Sequence, residues 1–150
     1  MRKHGKWIPV VLTVLWCLVI WQFSLAPGKV SSGTSGRVVD FCNEILNDMG
    51  IEAKITGKVA RKAAHFSEFF LLGVLASLSF LAHGFRHWYW LCGLVIVPVA
   101  AIDECIQLFV PERGPHILDV LLDTAGGVCG TLALFIIIWF VGTMKKKVHS

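Results

Sequence analysis

The chain has 150 residues, 55% of them hydrophobic and only 16% charged, with a mean hydropathy of +0.69. Soluble domains carry about a quarter charged residues, so this balance points to a membrane protein, and the length fits a single domain, residues 1–150. A net charge of +4 with no basic stripe and no zinc-finger spacing excludes nucleic acid as a partner.

A helix needs about 20 apolar residues to cross the hydrocarbon core. Four runs are long enough, at about 7–26, 65–82, 88–110 and 117–142. The expected fold is an all-α, four-helix transmembrane bundle. The first run carries no charge and follows Arg2, Lys3 and Lys6. Its length exceeds a signal-peptide core and FSLAPGK is a poor cleavage site, so it reads as an uncleaved helix.

The connection at 27–64 has two parts. PGKVSSGTSG reads as flexible by composition. RVVDFCNEILNDMG puts Val38, Phe41, Cys42, Ile45 and Met49 on one helical face and Asp40, Asn43, Glu44, Asn47 and Asp48 on the other. A short extracytoplasmic amphipathic helix lying over the bundle is predicted, stopping at Gly50. Pro98 bends the third run. In the fourth, Gly126, Gly127 and Gly130 let another helix come close. The five cysteines have no paired spacing, and Cys17, Cys92, Cys105 and Cys129 read as small buried apolar residues.

Orientation follows from Lys and Arg near the helix ends. Arg2, Lys3, Lys6, Arg86, Lys145, Lys146 and Lys147 fall on one side of a four-helix topology, so both termini are expected in the cytoplasm of a multi-pass plasma-membrane protein. Trp7, Trp88, Tyr89, Trp90 and Trp139 belong to the same boundary as interfacial aromatics. The long outer segment departs from the rule with six cations, partly balanced by four acids.

The ionisable residues gather at the other end of the bundle. Arg61, Lys62, His65 and Glu68 enter the second run from its outer end, and Arg61, His65 and Glu68 share a helical face. Asp103, Glu104 and Gln107 close the third run, Arg113 and His116 lie in the hairpin, and Asp119 and Asp123 open the fourth. At 1.5 Å per residue, Glu68, Glu104 and Asp123 lie at one depth, one to two turns below the surface. Charges at that depth cost about 2.5–3.5 kcal/mol each, so the set calls for inward faces, mutual pairing and a function. Helix-locking ion pairs explain any single pair equally well, but not the whole set.

Three stretches, RKAAHFSEF, DECIQLFVPERG and DVLLDTAGG, together resemble the VanZ-like membrane proteins, and the order of similarity covers nearly the whole chain. On that resemblance Lys62, His65, Glu68, Glu104, Gln107, Arg113, Asp119 and Asp123 match the family's signature positions. Phe69 stands where tyrosine is expected and Asp123 where asparagine is frequent. The resemblance implies a bacterial cell-envelope role, linked for the named member to resistance against the glycopeptide teicoplanin, and supplies no reaction.

Three functions stay open. In the first, Arg61, Lys62 and Arg113 hold the phosphate or carboxylate of a lipid-linked cell-wall precursor at the outer leaflet, with Gln107, Asp119 and Asp123 in the binding set. In the second, an intramembrane hydrolase or transferase uses His65 as proton carrier with Glu68 or Glu104. The third is an accessory subunit without chemistry. A His-x-x-Glu pair with Asp119 and Asp123 is a weak metal signal, and the reading assigns no metal and no cofactor. Membrane lipids, the precursor and the glycopeptide itself are the partners considered.

Overall fold

Hydrocarbon offers a backbone no hydrogen bonds, so a spanning segment must satisfy its own polar groups. Every regular element among the described residues is helical. The computed structural model describes residues 3–25, 28–50, 54–111 and 117–148. A 3-10 turn, Lys3–Lys6, leads into α1 (Trp7–Ser24), followed by α2 (Gly28–Asp48), α3 (Gly57–Ala82), α4 (Trp88–Leu91), α5 (Gly93–Gln107) and α6 (Ile117–Val148). α4 and α5 meet at Cys92 and together form one rod, Trp88–Gln107. With Trp7–Ser24, Gly57–Ala82 and Ile117–Met144, four helices are long and apolar enough to cross a membrane. The expected all-α four-helix architecture is the observed one.

The boundaries differ because hydropathy reports depth, not helix ends. α3 starts eight residues before the apolar run, at a cap where Thr56 Oγ1 accepts from the Val59 N–H at 3.4 Å. α6 continues to Val148, past the apolar run that closes at 142. α5 ends at Gln107, three residues short of its run, and Leu108 and Phe109 form a turn. α3 closes on Gly84, whose φ of +77° suits glycine. There the Phe85 N–H reaches the Phe80 carbonyl at 3.2 Å, and the two rings pack edge to face, 5.7 Å apart.

One expectation about 27–64 is corrected. PGKVSSGTSG is not a flexible loop, since α2 begins at Gly28 and runs 21 residues. Helix propensity is a weak prior that tertiary contact overrides, and α2 packs on α3. The Phe41–Ile45–Met49 stripe faces away from the bundle. All three are exposed, and the half-buried face is Val39, Cys42, Asn43 and Leu46. Asn43 accounts for the rotation. Its Oδ1 accepts from the Ile55 N–H at 2.7 Å, and its Nδ2 donates to the Ile55 carbonyl at 3.1 Å. Gly50 ends this helix as expected, at φ +72°. Asn43→Ala is expected to speed tryptic cleavage after Lys54 roughly tenfold, since two bonds that tie the connection to α2 are lost. Limited proteolysis in detergent reads this directly, and an unchanged rate would mean that the pair does not hold the connection.

α3 and α6 run parallel at the centre of the bundle. A Cβ built on Gly126 would lie 2.5 Å from the Phe66 carbonyl oxygen, one on Gly130 would strike the Phe70 carbonyl, and one on Gly73 would strike the Gly127 carbonyl. The Gly126-x-x-x-Gly130 face therefore brings two backbones into contact, the small-residue packing that replaces the hydrophobic effect inside a bilayer. α1 packs on α3 and α5, and α5 on α6. The apolar core at their centre includes Ile20, Phe69, Leu72, Ala76, Ile96 and Ala100. Trp88 belongs to this core rather than to the interface, its ring 6.1 Å from that of Phe135. Of the four cysteines expected to be buried, only Cys92 is; Cys17 is half-buried, and Cys105 and Cys129 are exposed. A membrane is apolar on the outside too, so an apolar residue need not face inward.

Candidate functional site

Directly above that core, toward the end where α3 and α6 begin, four helices bring polar groups to one level. α1 contributes Ser24, its last residue; α3 contributes His65 and Glu68; α5 contributes Asp103, Glu104 and Gln107 from its last two turns; and α6 contributes Asp123. Ser24, Asp103, Glu104, Gln107 and Asp123 are buried, and His65 and Glu68 are nearly so.

Asp103 is the hub. Its side chain is fully buried. Ser24 Oγ donates to its Oδ1 at 2.6 Å and Gln107 Nε2 to its Oδ2 at 2.9 Å. His65 Nδ1 lies 3.9 Å from the same Oδ2 and 3.8 Å from Glu68 Oε2, so the imidazole sits between two carboxyl groups on different helices. Asp123, in the second turn of α6, completes the cluster, and His65, Asp103 and Asp123 each bring one donor atom within 4.8 Å of the others. Below the cluster, Trp16 Nε1 donates to the Glu68 carbonyl at 2.9 Å, anchoring α1 to the turn that carries the site.

The rim is different in kind. Lys62 Nζ donates to Asp119 Oδ1 at 2.8 Å across α3 and α6, with Lys62 exposed and Asp119 half-buried. Arg61, half-buried, lies one turn above His65 on α3. Arg113 and His116 lie outside the described residues.

Of the residues singled out from sequence, His65, Glu68, Glu104, Gln107 and Asp123 come together at this level, with Arg61, Lys62 and Asp119 above them. The metal set suggested by His-x-x-Glu with Asp119 and Asp123 is not the one that converges: Asp119 pairs with Lys62, and Asp103 takes its place beside His65 and Asp123. Two members were missed. Asp103 was grouped with Glu104 but given no role, although its i, i+4 spacing to Gln107 was the available signal. Ser24 carried no signal in a charge-free run. Gln107 turns its amide onto Asp103, so it positions that carboxylate. Phe69, in the tyrosine position, is completely buried in the core under the site.

Four membrane-length helices around buried carboxyl groups define a polytopic membrane protein with a polar site inside its apolar layer. A family model described as VanZ/LLP1 matches residues 9–140, and the chain belongs to that family. No curated protein and no solved structure matches it.

Proposed function

We propose that the protein binds an anionic, lipid-linked cell-envelope molecule from the extracytoplasmic leaflet. The observation that carries this reading is the layered site: exposed Lys62 at the rim, half-buried Arg61 beside it, and a buried floor of Asp103, Glu104 and Asp123. Cations at the rim suit a phosphate, a guanidinium in a bidentate manner and a lysine as a point charge. Arg113 joins them by its position in sequence. Carboxylates beneath accept hydroxyl and amide donors from the sugar or peptide of a head group. Lys6, Arg86 and the Lys145–Lys147 run belong to the opposite end of the bundle, which supports cytoplasmic termini and an outward-facing site. Changing how cell-wall precursors are presented is a route to lower teicoplanin sensitivity.

A second reading draws on the imidazole between Glu68 and Asp103. His65 would move a proton there in a hydrolase or transferase acting on the same head group. Product formation from the bound lipid separates this reading from binding alone.

The test uses nanodiscs carrying the full chain, with a polyprenyl diphosphate as probe and the neutral polyprenol as control. Wild type is expected to prefer the diphosphate, and Lys62→Ala and Arg61→Ala to lose about tenfold in affinity each, the worth of one charge-assisted contact. The Lys62–Asp119 pair is partly exposed and is worth at most about 1 kcal/mol of stability, so Lys62→Ala should unfold close to the wild-type temperature. Equal binding of diphosphate and alcohol, or no loss in either variant, removes this reading.

A further inference from the structure

We propose that His65, Asp103 and Asp123 form a binding site for one divalent metal ion of the zinc or manganese kind. The three side chains come from α3, α5 and α6, so their convergence is a product of the tertiary fold. Each offers a donor atom within 4.8 Å of the other two. Asp103 is 0% and Asp123 1% exposed, and Oδ1 of Asp123 is buried with no hydrogen-bond partner among the described residues. A buried carboxylate oxygen with no donor is a costly arrangement that metal ligation resolves.

Charge points the same way. Two of the three donors, Asp103 and Asp123, are acids buried in one cluster. Buried charges are tolerated when they are paired or coordinate a metal, and a divalent cation offsets both of these acids at once. The second layer is also in place. Ser24 and Gln107 each hold one oxygen of Asp103, the kind of support that orients a ligating carboxylate.

The donor set selects the ion. One imidazole with two carboxylates suits zinc or manganese, whereas calcium and magnesium favour shells of oxygen alone. Ligands about 2.1 Å from a metal lie about 3.4 Å from each other in a tetrahedral shell. His65 Nδ1 and Asp103 Oδ2 stand 3.9 Å apart, so small side-chain adjustments close the site. Three protein ligands leave a position open for an outside oxygen. That the oxygen belongs to a head-group phosphate rests on the proposed function; the metal site itself does not.

Purified full-length protein in detergent would be loaded with zinc chloride or manganese chloride, passed through gel filtration, and assayed for bound metal by mass spectrometry. Wild type is expected to retain about one equivalent of one of the two ions and to lose thermal stability on chelation. Asp123→Asn and His65→Ala, each first checked by gel filtration to elute as folded protein, should bind at least about tenfold more weakly and no longer respond to the chelator. Wild type holding no more metal than Asp123→Asn after loading with either ion overturns the site, as does full retention in both variants, which would put the ion elsewhere. A metal-loaded protein that ignores polyprenyl diphosphate would keep the site and remove the head-group reading.

Discussion

Gly130→Leu is expected to separate the two central helices and abolish the folded bundle. Even a single methyl on Gly130 would strike the Phe70 carbonyl, a backbone atom that cannot rotate away. Overpacking of a well-fitted interior costs 1–3 kcal/mol for side chains that can adjust, and a leucine against backbone should cost at least about 3 kcal/mol on that scale. Gly142→Leu is the matched control, since a Cβ on Gly142 meets nothing within 4 Å. Its stability should stay within about 0.5 kcal/mol of wild type. Thermal unfolding in detergent, with membrane abundance in parallel, measures both. If Gly130→Leu unfolds together with Gly142→Leu, α3 and α6 do not meet backbone to backbone.

The second large effect separates stability from function at one position. Asp103→Ala removes the acceptor of both the Ser24 hydroxyl and the Gln107 amide inside a closed site. Each buried donor that loses its acceptor costs about 1–3 kcal/mol, and the variant should be destabilised by about 3 kcal/mol or more. Asp103→Asn keeps the shape and one carbonyl acceptor while removing a buried negative charge from an acidic cluster. Removing one negative charge from a cluster of buried acids relieves like-charge repulsion, so this variant should unfold near the wild-type temperature. It should nonetheless bind the loaded metal ion at least about tenfold more weakly, because an amide replaces a ligating carboxylate. A stable, fully competent Asp103→Asn protein would show that the hub only locks helices together.

Most of the architecture was legible because membrane insertion is a one-dimensional problem. Length and apolarity of each run fix how many helices cross, and the Gly126–Gly130 spacing announces a close neighbour without saying which. The neighbour's identity, α3, depends on how the helices rotate about their axes, and an apolar exterior removes the amphipathic pattern that would reveal it. That is why Asp103 and Glu104, adjacent in sequence and about 100° apart around a helix, could not be ranked. It is also why α1, uniform in hydropathy, hid the one hydroxyl that reaches the site. The orientation of the α2 stripe has a different cause. Periodicity identified its apolar face but not which face meets the bundle, which is set by Asn43, tied to the backbone of Ile55.

α1 is held to the rest of the bundle through a ladder of polar contacts: Thr13 to Ser79, Trp16 to the Glu68 carbonyl, Trp21 to the Val99 carbonyl and Ser24 to Asp103. None of these partners is nearer than 52 residues along the chain. During synthesis α1 therefore enters the bilayer well before the groups it binds have been made. It must wait there with two indole N–H groups still to be matched, free to turn among the lipids. The rung that docks its end, Asp103, comes off the ribosome only after the first two-thirds of the chain. Biogenesis thus runs opposite to sequence order: the helix made first is among the last to be fixed, and it is fixed by the same carboxylate that anchors the site.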